Sequence, residues 1–151
     1  MNKIEILKSE KDGLKIKADI HRMAKEGWES ISEDDIQRLK WYGLFLRNPT
    51  PGFFMLRVRI PNGFSFSHQV RALCFIAETF GNGIIDITTR QQVQLRQLKI
   101  ENVPEVFDLL EEAGLTSTQT GMRSEEHTSN SSHALISYAV FCLKKQKQKT
   151  C

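Results

Sequence analysis

Phe54-Met55-Leu56-Arg57-Val58-Arg59-Ile60-Pro61-Asn62-Gly63 is the stretch on which the fold turns. Phe54, Leu56, Val58 and Ile60 fall on one side of an extended chain, and Met55, Arg57 and Arg59 on the other. This is the period-two pattern of a half-buried strand. Pro61-Asn62-Gly63 closes it with turn residues. A second stretch, Asp86-Ile87-Thr88-Thr89-Arg90-Gln91-Gln92-Val93-Gln94-Leu95-Arg96, repeats the arrangement. Val93 and Leu95 face one way; Gln92, Gln94 and Arg96 face the other. One sheet face is built for a core and the other for a large anion. An antiparallel sheet with one solvated face explains the alternation without any ligand. The residue types carry the anion reading, because guanidinium forks and hydroxyls suit carboxylates and phosphates better than plain solvation requires.

Working outward, the part up to about Leu46 reads as helical. Ile16, Ile20, Met23 and Ala24 keep helical spacing, with Gly27 as a stop. Ser32 with Asp35 three residues on resembles a capping box. Ile36, Leu39 and Trp41 follow, and Gly43 ends that helix. Asn48-Pro49-Thr50-Pro51-Gly52 is a connector rich in helix breakers. After the first strand, Ser67 is placed to cap a helix with the stripe Val70, Leu73, Cys74, Ala77 and Phe80. Cys74 is expected to be buried packing. Ile84 to Thr88 and Val93 to Ile100 read as strands, with Gln91 near the turn between them. Pro104 opens a helix striped by Val106, Phe107, Leu110 and Ala113, and Leu115 to Gln119 is expected as a last strand. The order β-α-β-β-α-β is a ferredoxin-like split βαβ unit. The fold class is therefore α+β, with N-terminal helices over 1–48 and the half-domain over 49–122.

Taken in order, these segments resemble the siroheme-dependent nitrite and sulfite reductases. The resemblance runs through Leu39-Lys40-Trp41-Tyr42-Gly43-Leu44-Phe45, Thr50-Pro51-Gly52, Phe54 to Gly63 and Asp86 to Arg96. It ends at Gly114-Leu115-Thr116-Ser117 and Thr120-Gly121-Met122, with weaker likeness at Lys11-Asp12-Gly13 and Gly27-Trp28-Glu29. Thr88-Thr89-Arg90 and Thr50-Pro51-Gly52 lean toward the nitrite-reducing members.

The resemblance implies a six-electron reduction of nitrite to ammonia, with ferredoxin as donor and a siroheme coupled to a 4Fe-4S cluster. Siroheme carries eight carboxylates, which gives an Arg- and Thr-rich face a purpose. Arg57 matches the arginine on the substrate side of the siroheme, where it holds the anion and stabilises developing charge. Thr88, Thr89, Arg90, Gln94 and Arg96 match the segment that clasps the siroheme carboxylates. Arg59 has no family role, and a surface salt bridge is expected for it. Trp28 and Trp41, in the leading region that wraps the core and approaches ferredoxin, are expected to dock within the same polypeptide. The family's cluster cysteines and completing lysines lie in a second half, so the chain is expected to be a fragment, inactive alone.

After Met122 the family continues with Asp-Asn-Val-Arg-Asn, which supplies a second active-site arginine. This chain instead runs Arg123-Ser124-Glu125-Glu126-His127-Thr128-Ser129, resembling an in-frame translation of a sequencing adapter. Residues 123–151 are accordingly expected to be a disordered, non-native tail, set aside from fold reasoning. Its Glu125, Glu126, His127 and His133 invite a metal site, its Ala134 to Leu143 a membrane segment, and its lysines a nucleic-acid tail. The apolar run is far short of the roughly 20 residues that span a bilayer.

The chain of 151 residues carries a net charge of +3. Residues 123–151 contribute all of it, which leaves 16 basic and 16 acidic residues in 1–122. The basic balance therefore implies no nucleic-acid partner. The charged N-terminus lacks the apolar run of a signal peptide, and a cytoplasmic protein without membrane contact is expected. Of the three cysteines, Cys142 and Cys151 lie in the tail, and no pair has metal-ligand spacing. His21 and His68 stand alone. A sulfite reductase fragment fits the same strand. A stand-alone ferredoxin-like binding module is the reading of another class. RNA binding by such a sheet calls for exposed aromatics, whereas this polar face offers Arg, Gln and Thr.

Overall fold

The computed structural model describes residues 13–120, apart from the Leu14 side chain. The readings placed on the tail from Arg123 onward lie outside those residues. Helix α1 (Lys17–Glu26) buries Ile20 and Met23 and stops at Gly27, whose φ of 84° suits glycine. Helix α2 (Glu33–Leu39) begins as expected: the Ser32 side chain accepts a hydrogen bond from the Asp35 amide at 3.1 Å. Helices α3 (Ser67–Phe80) and α4 (Val103–Glu112) complete the helical set.

The strands are β1 (Leu44–Leu46), β2 (Phe53–Arg59), β3 (Ile85–Ile87) and β4 (Gln92–Lys99). They form one sheet in the order β1-β2-β4-β3, with every pair antiparallel. β2 and β3 thus run parallel with β4 between them, joined through α3, which is the split βαβ arrangement. The alternation holds: Phe54, Leu56, Val58, Ile60, Val93 and Leu95 are buried, and Met55, Arg57, Gln92, Gln94 and Arg96 are half-buried on the other face.

Four expectations need correction. First, Leu44–Leu46 is a strand and not the end of a helical region. Gly43, in the left-handed region at φ 73°, redirects the chain so that Leu44 pairs with Leu56 and is buried. Second, the strand expected over Leu115 to Gln119 shrinks to a single bridge between Thr116 and Arg59. β1 occupies the remaining edge of β2, and the Thr116 hydroxyl accepts the Thr118 amide, which turns the chain away.

Third, α3 has Phe66 and not Ser67 at its N-cap position, and the Gln69 side chain accepts the Phe66 amide at 3.0 Å. Fourth, Cys74 is exposed. The buried residues of α3 are Leu73, Ile76 and Ala77, so the helix is rotated off the expected stripe and leaves Val70 and Cys74 toward solvent.

β4 also departs from simple alternation. Between Phe54 and Leu56 the partner shifts from Leu98 to Leu95, so β4 carries an extra residue. Gln97, at φ 60°, takes the strained position. The bulge returns Leu98 and Ile100 to the core side. Trp28 packs against the core and lies beside Gly52, where an added Cβ would come 2.8 Å from its indole nitrogen. That contact within the chain agrees with the docking expected for it.

Candidate functional site: a cationic sheet face

The helices α1, α3 and α4 take the apolar side of the sheet, so the opposite side carries the polar residues of β2, β3 and β4. One rung crosses three strands: Arg57 on β2 faces Gln94 on β4, and Gln94 faces Asp86 on β3. Arg59 faces Gln92 on the next rung. The β3–β4 hairpin ends this face. Its Thr88 hydroxyl accepts the amides of Arg90 at 3.3 Å and Gln92 at 3.2 Å. Both lone pairs of Thr88 are thus engaged in building the turn, which leaves its O–H to donate. Gln91, at φ 57°, closes the hairpin beside Gly63 of the turn after β2.

The backbone of Arg57 is held on both sides. Its amide donates to the Gly43 carbonyl at 2.9 Å, and its carbonyl lies 3.0 Å from the Thr120 hydroxyl. Its side chain is half-buried and makes no hydrogen bond among the described residues; its Nε is buried without a partner. The guanidinium carbon sits 4.6 Å from the centre of the Phe45 ring. Burial, and then the charge of Arg90, push this guanidinium below the ordinary arginine pKa. Two cations therefore stand near each other, one with a buried donor unused. A buried polar group left unpaired is costly, and an anion at the accessible end of the guanidinium would offset the proximity of the two cations.

The expected site residues divide. Arg57, Gln94, Thr88 and Arg90 gather at the hairpin end of the face. Thr89 and Arg90 are exposed, and their side chains have no hydrogen-bond partner among the described residues. Arg96 is diverted: its Nε donates to the Asp86 carboxylate on β3. Arg59 is exposed and reaches the Gln119 carbonyl at 3.4 Å, so the salt bridge expected for it is replaced by a bond to the backbone. Gln92 adds a buried Oε1 without a partner. Sequence reasoning missed Phe45, Gly43 and Thr120. Gly43 marked a break in the chain, but the three apolar residues after it carried no period that could announce a strand.

Among the described residues no group of three or more His, Cys, Asp or Glu side chains could hold a metal ion, and no helix is long and apolar enough to cross a membrane. The polar face fits a multiply charged carboxylate ligand, because it offers a half-buried guanidinium without a hydrogen-bond partner among the described residues, the exposed cation of Arg90 and hydroxyl donors. It does not fit an iron–sulfur cluster, for which it has no thiolates.

Residues 47–113 match the family described as the nitrite/sulfite reductase ferredoxin-like half domain. The chain is 49% identical over 124 residues to a ferredoxin–nitrite reductase of Leptolyngbya laminosa, covering 81% of this chain and 24% of that protein. It is 41% identical over 132 residues to the chloroplastic ferredoxin–nitrite reductase of Spinacia oleracea, covering 81% of this chain and 22% of that one. The solved structure of the Mycobacterium tuberculosis NirA protein superposes with a TM-score of 0.72 at 30% identity, over 78% of this chain and 25% of that chain. This chain thus spans about a quarter of the length of the relatives it matches.

Proposed function

From the premise that residues 47–113 are a nitrite/sulfite reductase ferredoxin-like half domain, we propose that this chain supplies one wall of the siroheme and substrate pocket of a nitrite-reducing enzyme. The parent enzyme takes electrons from ferredoxin and carries nitrite to ammonia. On this reading the segment alone is inactive, because its described residues bring neither cluster ligands nor an opposite wall. The observation that carries the reading is Arg57: a half-buried cation with an unpartnered Nε, beside Arg90, on the polar face of the sheet.

When bound, siroheme with its cluster supplies the electrons and the metal that receives the substrate. The chain's own residues bind and orient. Arg90, the Thr88 hydroxyl and the exposed Thr89, at the hairpin end, would hold peripheral carboxylates of that group. Gln94, on the rung shared with Arg57, offers its amide to the same ligand. Arg57 points its unused donors at a small oxyanion and stabilises negative charge as it develops, in a setting where water is already partly excluded. Arg96 joins only when Asp86 lets go. Nitrite is favoured over sulfite because the relatives compared above are named for nitrite.

The test is a chimera. Residues 1–122 of this chain replace the matching segment of the Leptolyngbya laminosa enzyme, and nitrite reduction is followed with reduced ferredoxin. Retained turnover, lost on Arg57→Ala, is the expected result. A folded, siroheme-loaded chimera indifferent to Arg57→Ala would overturn the reading.

A further inference from the structure

The geometry points to Phe45 of β1 as the positioning residue that seats the Arg57 guanidinium for anion capture. This inference rests on the anion-binding reading of Arg57. β1 alternates like the other strands. Leu44 is buried toward the core, whereas Phe45 pairs with Met55 and lies on the polar side. On that side its cross-strand neighbour is Met55, and its ring also faces Arg57, with the guanidinium carbon 4.6 Å from the ring centre.

The way an arginine is held decides what it can still do. Arg96 is held by its own donor, since its Nε is spent on Asp86. Arg38 spends an Nη on Asp35 at 3.1 Å. Arg59 spends one on the Gln119 carbonyl. A ring held against a guanidinium attracts the cation through its π cloud and consumes no N–H. Arg57 is therefore fixed and yet keeps the N–H donors at the end of its guanidinium for a ligand, while its Nε is buried without a partner. The backbone bonds from Gly43 and Thr120 fix where the side chain starts, and Phe45 fixes where it ends. Orientation in advance saves the entropy that an anion would otherwise spend in ordering a long side chain.

The experiment uses the full 151-residue chain labelled with ¹⁵N. The Arg57 Nε–H resonance is assigned by its loss in Arg57→Met. Its heteronuclear NOE reports order, and its shift on titration with sodium nitrite reports binding. Phe45→Leu keeps an apolar side chain and removes the ring; Phe45→Tyr keeps the ring. We expect Phe45→Leu to lower the NOE and weaken nitrite binding about fivefold, as befits the loss of a partly desolvated cation–π contact. Phe45→Tyr should restore both to within about twofold of the parent. Unchanged NOE and affinity in Phe45→Leu would overturn the proposal. Should Phe45→Leu not fold, the parent chain decides: the Arg57 δ protons must show an upfield ring-current shift, and their absence overturns it. Nitrite that leaves an ordered Arg57 resonance unmoved sinks the anion-binding reading, and with it the purpose assigned to the seat, while a lowered NOE in Phe45→Leu would still uphold the seating.

Discussion

The Thr120 hydroxyl lies 3.0 Å from the carbonyl oxygen of Arg57 and 2.7 Å from that of Ser117. Its one proton serves two backbone acceptors, and Thr120 is itself only 4% exposed. The returning chain after α4 is thereby clamped to the strand that carries the candidate anion ligand. Thr120→Val keeps the shape and removes the donor, leaving buried carbonyls without it. Such a loss costs about 1–3 kcal/mol. Urea unfolding should register that loss for Thr120→Val and a smaller one for Thr120→Ser, which keeps the hydroxyl. Equal stability of parent and Thr120→Val would show that water replaces the clamp.

Gly43 makes the other side of that clamp possible. Its φ is 73°, and an added Cβ would lie 2.7 Å from the Arg57 carbonyl oxygen and against the Thr120 hydroxyl. Gly83, at φ 74°, has nothing within 4 Å of such a Cβ. Alanine at Gly83 meets the left-handed backbone cost alone, about 1 kcal/mol or somewhat more. Alanine at Gly43 meets that cost and a backbone collision besides. Gly43→Ala should therefore destabilise clearly more than Gly83→Ala when both are measured by urea midpoint, and should disturb the Arg57 amide resonance. Equal losses at the two sites would mean that the chain yields around Gly43.

The unpaired Arg57 predicts how stability responds to pH and to anions. Its guanidinium is pushed down by burial and then by Arg90. With the folded pKa below the unfolded one, the unfolded chain holds this proton more tightly. The penalty is constant wherever both states are protonated, and it lifts only as pH rises past the folded value. Across ordinary pH this group should give no slope, so relief must come from a bound anion. Sulfate should stabilise the chain beyond chloride at equal ionic strength, by about 1 kcal/mol at a few multiples of its dissociation constant. Sulfate also stabilises proteins in general through exclusion. The diagnostic quantity is therefore the part of the gain that Arg57→Met removes. If Arg57→Met keeps the whole gain, no site binds sulfate at Arg57.

The polar face was legible in the sequence wherever side-chain period and pairing agree. Phe54 to Ile60 and Gln92 to Leu95 kept their sides because one face of each must enter the core. Legibility failed where long-range contacts decide. Leu44-Phe45-Leu46 is too short to announce a strand, and it becomes one only because β2 presents a free edge. Cys74 sits on a stripe that fits helical spacing, yet α3 turns Ile76 inward and Cys74 outward. Apolar residues at several helical offsets left that rotation open. Arg96 was indistinguishable from Arg57 by type. Only the pairing of β3 with β4 brings Asp86 within reach of one and not the other.

That pairing yields the last prediction. Asp86 and Arg96 are each about a third exposed, at 35% and 37% for their side chains. A pair this open contributes little to stability, about 1 kcal/mol or less. Its larger effect is on ligand binding, since a carboxylate of the chain occupies the donor that a ligand carboxylate would use. Asp86→Asn should free Arg96 and remove a repelling charge from the face. Uroporphyrin, a tetrapyrrole rich in carboxylates, is a suitable probe in fluorescence titration. Its affinity should tighten about threefold in Asp86→Asn, within the range of an ion pair this open. The gain should vanish in the double variant with Arg96→Gln, and unfolding should shift only slightly. Weaker binding in Asp86→Asn would reverse the assignment: Asp86 would then be holding Arg96 in the pose the ligand needs, and the pair would be part of the site and not a competitor for it.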